Sequence, residues 1–379
     1  MGCESIILRN FLFNTEASMI LTNFIKSNFL KLISRGRTRP LVLGNSPKFL
    51  ILMTQKIGDM IVCSPILREI KFAFPDAELQ VLASQTNVEI ARENPYIDNV
   101  YVYKNQWHKL ISLLLILRGL NFDVAIELEA KVVTRSILIL GIIRPNCILS
   151  VSKTEGRYGM TPQAVLPYDY YTNSELKHQR DTCLDILRLM QIQFSNKSYD
   201  VFYSKQKKVK ALSFMSSFDK SKITIVLNTK GSGYENEIQS SDVLRIIEGL
   251  SSIPDVVIIL LHKPGDKEWA EGLIKKTPSK YTFLSPTSES ILDVAAIIDL
   301  VDLVISPDTS IVHMACAFKK PLVAIYTNNL ENFERWSPIS NHNHVIFSDD
   351  ENSLKSINVD KIVKKSSELI SITRNKYKN

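Results

Sequence analysis

The sequence predicts an α/β protein built from two doubly wound domains that face one another across a cleft. Three observations carry that prediction. Short apolar runs of strand length alternate with segments of helical periodicity from Lys48 onward, and after a break the alternation starts again at Lys222. Between the two series lies a polar, basic stretch, "QFSNKSYDVFYSKQKK", which places a linker near 195–215. With 379 residues the chain is long for one core and natural for two.

In the first half the expected strands are 48–54, 78–83, 99–103 and 122–128, with helices near 59–74, 86–92, 107–119 and 132–140. Pro75-Asp76 stops the first helix and Asn94-Pro95 marks a turn. After residue 150 the pattern loosens, and "HQRDTCLDILRLMQI" reads as a helix leading out of the domain. In the second half the expected strands are 222–227, 255–261, 281–284, 302–305 and 321–326, with helices near 241–252, 266–276, 289–298 and 310–318. The division that follows is an extension over 1–47, domains over 48–205 and 206–350, and a basic, helical tail over 351–379.

The hydrophobic content of 45% and charged content of 22% are those of a globular protein and exclude extensive disorder. No apolar run approaches the roughly 18 residues of a membrane span, and the first residues lack the basic-then-apolar signature of a secretory signal. Met1-Gly2-Cys3 suggests lipidation, but Ile6 stands where the myristoylation pattern wants Ser or Thr. Cys3, Cys63, Cys147, Cys183 and Cys316 are odd in number and lack CxxC spacing, which fits reduced thiols of a cytoplasmic protein. The net charge of +7 is unevenly spread: from Ala17 to Gly58 there is no carboxylate. Within that stretch Leu21, Ile25, Phe29 and Ile33 recur every four residues among Lys26, Lys31, Arg35 and Arg37. Such a basic amphipathic helix serves two uses equally, lying on an anionic membrane surface or docking on the body of the protein.

Three strand-to-helix joints carry residues suited to chemistry, each at the carboxyl end of an expected strand, where open α/β sheets bind ligands. In "TQKIGD", Gly58 permits a close turn and Asp59 opens the helix. Asp59 serves either as a first-turn cap or as a general base for an acceptor hydroxyl, and Lys56 is a cation beside it. In "LNTKGSGYENE", Thr229, Lys230, Gly231 and Gly233 form a loop able to cradle a phosphate, although it is not a Walker motif. In "ISPDTSIVHMACAFKKPLVAIY", Asp308, Thr309 and Ser310 open a helix and His313 follows one turn later. Hydroxyl and amide donors at a helix N-terminus suit a diphosphate; the alternative roles are a cap for Asp308 and a core position for His313. The histidines show neither HxxxH nor HExxH spacing and D-x-D is absent, so the sequence predicts no metal and no cofactor.

These residues resemble glycosyltransferase family 9, the bacterial ADP-heptose:lipopolysaccharide heptosyltransferases. "ILMTQKIGDMIVCSPILREIKFAFPDAELQVLAS" is similar to the family's first strand, S-x-G-D-type loop and helix, and "NFDVAIELEAKVVTRSILIL" to its stretch with an Arg-Ser pair, here Arg135-Ser136. "VDLVISPDTSIVHMACAFKKPLVAIY" resembles the D-T-G-x-x-H signature, and "RWSP" at 335–338 the following R-W-x-P. The similarity spans roughly residues 48–340. It implies a GT-B fold, an acceptor held by the N-terminal domain near Lys56, Gly58 and Arg135, and a nucleotide sugar held by the C-terminal domain. It further implies inverting, metal-independent transfer of heptose to lipid-linked lipopolysaccharide core at the cytoplasmic face of the inner membrane, with no nucleic-acid partner. Asp59 takes the role of base, and Asp308, Thr309 and His313 take roles at the nucleotide. Two departures stand out: Ser310 replaces the glycine of D-T-G, and "YENEIQS" replaces the K-x-W whose lysine would meet the diphosphate. They leave two alternatives, another nucleotide sugar as donor, or a catalytically silent binding subunit on the membrane.

Overall fold

The computed structural model describes residue 28 and residues 39–378 apart from 105, 154–167, 174–176, 232, 278 and 341. The basic segment expected at 17–37 lies outside these residues, save for Asn28, which is helical.

The N-terminal domain runs β1 (Lys48–Met53), α1 (Ile57–Val62), α2 (Ser64–Ala73), β2 (Glu78–Ala83), α3 (Val88–Arg92), β3 (Asn99–Val102), α4 (Trp107–Gly119), β4 (Val124–Glu127), α5 (Thr134–Ile143), β5 (Cys147–Ser150), β6 (Tyr170–Tyr171) and α6 (Gln179–Leu189). The C-terminal domain runs α7 (Lys205–Met215), β7 (Ile223–Leu227), α8 (Ser240–Ser251), β8 (Val256–Leu260), α9 (Lys267–Lys276), β9 (Thr282–Leu284), α10 (Ile291–Ile298), β10 (Leu303–Pro307), α11 (Ser310–Ala317), β11 (Leu322–Tyr326), α12 (Leu330–Trp336), β12 (Asn343–Phe347) and α13 (Val359–Lys378). Each domain holds a six-stranded sheet, ordered β3-β2-β1-β4-β5-β6 and β12-β11-β10-β7-β8-β9. All the strand pairings are parallel.

Parallel sheets are covered on both faces, which is why their strands read as continuous apolar runs. In β1 the alternation of side chains sends Phe49, Ile51 and Met53 into one core cluster and Leu50 and Leu52 into another. The helix expected at 59–74 is broken into α1 and α2 at Cys63, because Pro65 opens the second helix and cannot donate a backbone bond to a preceding turn. The second half of the expected linker is helix α7, which packs against α10. The expected tail is part of the C-terminal domain: Ile362, Leu369 and Ile370 of α13 are buried in its core beside Ile246 and Leu250 of α8.

A buried cation anchors the crossing between the domains. The Arg68 guanidinium on α2 donates to the carbonyls of Asn196 (2.7 Å) and Ser198 (3.1 Å) and to the carboxylate of Asp200. The Asp200 amide in turn donates to Ser64 Oγ at 2.7 Å. The domains also meet directly. Helix α1 packs on α11, Arg335 Nη2 donates to Gln179 Oε1 at 3.2 Å, and His178 Nε2 lies 2.9 Å from the Ser337 carbonyl.

Candidate active site

Both sheets have the same winding, so the point where strand order reverses falls between β1 and β4 in one domain and between β7 and β10 in the other. Crevices open at such points, beyond the carboxyl ends of the strands. The four loops leaving β1, β4, β7 and β10 line one cavity of about 1240 Å3 between the domains, with Asp59, Glu129, Lys230 and Asp308 on its wall. That exceeds the roughly 300–1,000 Å3 of a single small-molecule site and gives room for two ligands.

Asp59 stands at the third position of α1, and its Oδ2 accepts the Lys56 amide at 3.1 Å, which caps the first turn. The side chain therefore caps the helix and also lines the cleft. Burial, reinforced by the charge of Glu129, pushes the Asp59 carboxyl up to about 6. Glu129, two residues beyond β4, is oriented by Gln55, whose Nε2 donates to Oε2 at 2.7 Å. Lys56 is exposed on the cleft wall, and its charge opposes the rise of both Asp59 and Asp308.

Across the cleft, burial pushes the Asp308 carboxyl up to about 6 against a 3.1 Å hydrogen bond from Asn332 Nδ2. Thr309 caps α11, its Oγ1 accepting the Ile311 amide at 3.2 Å. Asn228 Nδ2 donates to Ser306 Oγ at 2.9 Å and so ties the β7 loop to β10. Ser310 lines the wall at the start of α11.

His313 forms part of the wall but is only 3% exposed, packed between the rings of Tyr199 and Trp336. A Cβ on Gly58 would come within 3.1 Å of its Cδ2, so Gly58 permits the close approach of α1 to α11. Burial drives the His313 imidazole down to about 3, which keeps it neutral, and its Nδ1 has no hydrogen-bond partner among the described residues.

The glycine-rich loop differs most from its sequence reading. Lys230 lines the cleft, yet its Nζ lies 2.8 Å from Glu237 and 4.2 Å from the centre of the Trp269 ring. Glu237 belongs to the departing "YENEIQS", so that stretch supplies a carboxylate to the loop lysine in place of an added cation. Gly231 is on the wall, and a Cβ there would sit 2.0 Å from the Asn236 carbonyl oxygen, so only glycine fits. Thr229 is fully buried, and its Oγ1 has no partner among the described residues; neither Thr229 nor Gly233 is on the cleft wall. Gly233, with φ of +106°, serves the turn. Arg135 lines the N-terminal side, its guanidinium 4.7 Å over the Tyr103 ring. Sequence reasoning missed Glu129, Asn228, His262, Asn332 and the cleft-lining role of Trp336. Among the described residues, no three His, Cys, Asp or Glu side chains come together to hold a metal ion.

Two α/β domains of this winding facing across a cleft are the architecture of GT-B glycosyltransferases. The chain superposes on the Escherichia coli structure described as ADP-heptose lps heptosyltransferase II with a TM-score of 0.69 at 15% identity, covering 86% of this chain and 99% of that one. The sequence model of glycosyltransferase family 9 (heptosyltransferase) matches residues 254–366. The lipopolysaccharide core heptosyltransferase OpsX of Haemophilus influenzae is 22% identical over 88% of this chain and 92% of its own length. Lipopolysaccharide heptosyltransferase 3 of Escherichia coli is 32% identical over 78 residues, 19% of this chain, and the match spans 23% of that relative's length. The match of the family model in the C-terminal domain, together with the likeness to OpsX along most of both chains, makes this chain similar to glycosyltransferase family 9.

Proposed function

We propose that this protein transfers a heptose from ADP-heptose to the lipid-linked inner core of lipopolysaccharide, with inversion and without a metal ion. The observation that carries this reading is the convergence, on one cleft, of the Asp59 carboxylate at the end of β1 with the amino end of α11 at the end of β10. The names of the heptosyltransferase relatives support the donor and the acceptor class. In this reading residues 48–205 hold the acceptor and 206–350 the donor.

The acceptor hydroxyl bonds to the anomeric carbon as its proton passes to Asp59, and the bond from that carbon to the diphosphate breaks with its electron pair leaving on ADP. The backbone amides at the start of α11 and its dipole meet the departing charge, with Lys56 as the exposed cation beside them. Lys230, already paired with Glu237, contributes orientation more than net charge.

Burial that raises the Asp59 carboxyl brings a general base nearer to neutral pH, where proton transfer is most effective. A raised base is protonated and inactive below its pKa, so kcat/KM should climb with pH through about 6 and level above it. Asp308 titrates in the same range, so the profile of Asp308→Asn isolates Asp59 and should keep the limb. A flat profile from pH 5 to 8 in that variant would remove Asp59 as the base.

Calorimetry with ADP, UDP and GDP, followed by transfer assays with the matching sugars, tests the donor. ADP should bind best, and Asp308→Asn should weaken it by about tenfold, as loss of one charge-assisted contact does, while leaving the acceptor KM unchanged. Preference for a UDP-sugar would end the heptosyl reading and keep the GT-B transferase; no nucleotide binding at all would favour the silent subunit.

A further inference from the structure

Helix α4, "WHKLISLLLILRG", is apolar on more of its circumference than its packing uses. Leu110, Leu114 and Leu117 enter the core beside Phe122, Ala125, Ile139 and Leu140. The side of such a helix that faces away from the core is ordinarily polar. Here Ile111, Leu115 one turn later and the adjacent Ile116 are 50%, 58% and 60% exposed. The charges along this stretch of chain have one sign. From Asn99 to Phe122 the chain has no Asp or Glu, while Lys104, Lys109 and Arg118 are all exposed. Single exposed apolar residues need no explanation, but a cluster rimmed by cations marks an interaction surface.

We infer that this face of α4 docks on an anionic lipid bilayer, its aliphatic side chains entering the headgroup boundary and its lysines meeting the lipid phosphates. A helix face with exposed aliphatic side chains, on a stretch that carries cations and no carboxylate of its own, complements a negatively charged membrane. The position of the helix adds a consequence. Tyr103, four residues before α4, carries the Arg135 guanidinium that lines the cleft, so docking by α4 brings the acceptor side of the cleft to the membrane. That consequence rests on the lipid-linked acceptor proposed above; the docking itself does not. The surface is separate from the basic segment at 17–37, which the sequence assigns to membrane or protein body alike.

The test uses the full chain, without donor or acceptor, and vesicles of phosphatidylglycerol with phosphatidylethanolamine against vesicles of phosphatidylcholine alone. The wild type should sediment with the anionic vesicles and far less with the neutral ones, the more so at low salt. Leu115→Glu/Ile116→Glu should weaken that partition by about tenfold or more, with an unchanged thermal midpoint because both side chains point away from the core. Lys104→Glu/Lys109→Glu, which leaves the apolar packing intact, should lose about tenfold on anionic vesicles. Wild-type partition in both variants, absence of binding by the wild type, or equal binding to neutral vesicles would overturn the inference. None of these outcomes depends on whether the protein transfers heptose, so a failed donor assay leaves the test standing.

Discussion

Asp59→Asn should lower turnover by about two to four orders of magnitude, with nucleotide affinity nearly unchanged. The substitution separates the two jobs of this side chain. Asparagine keeps an oxygen that can accept the Lys56 amide, so the cap loses little and α1 stays in place. What it lacks is a site for the acceptor proton. Asp59→Ala removes both, and should add a stability loss of about 1 kcal/mol from the missing cap. Steady-state kinetics with a saturating donor and a calorimetric nucleotide titration decide the matter. An Asn variant that keeps most of its turnover would reduce Asp59 to a cap.

Arg68→Met should destabilise the N-terminal domain by about 3–5 kcal/mol, the usual consequence of removing one partner of a buried ionic cluster. Arg68 is 3% exposed, and without it the Asp200 carboxylate and the carbonyls of Asn196 and Ser198 lose their donor. The interdomain crossing would come loose from α2, so urea unfolding followed by fluorescence should show an earlier transition and donor turnover should fall with it. Adding Asp200→Asn should recover part of the loss, because one of the two carboxylates left without their cation is then neutral, Glu69 being the other. A shift below about 1 kcal/mol in Arg68→Met would mean the crossing is held by other contacts.

Much of the architecture could be read in the sequence, for a physical reason. Strands buried on both faces must be apolar throughout, so runs such as "KFLILM" and "ITIVL" stand out from the helices around them. The elements that escaped lack that signature. Helix α7 buries only Ala211 and carries four lysines, so it read as linker. Strand β12 is an edge strand with Ile346 alone fully buried, and its pattern is too weak to register. The loops of the site could be located because strand ends are visible, but the direction of a side chain within a loop could not. Thr229 turns into the core and Lys230 into the cleft, though they are adjacent. Glu129 became visible only when β4 was seen to pair with β1, which places its loop beside Asp59. His313 shows the same limit, since its burial against Gly58 depends on how the two domains meet.

The central claim is that this cleft transfers a heptosyl group with Asp59 as base. Its most direct measurement incubates purified protein with ADP-heptose and a lipopolysaccharide core that lacks heptose, following ADP release together with the mass and anomeric configuration of the product. One heptose should be added per ADP released, with inverted configuration, and both signals should be lost in Asp59→Asn. Retained configuration, transfer that persists in Asp59→Asn, or ADP-heptose left intact while another nucleotide sugar is consumed would contradict it.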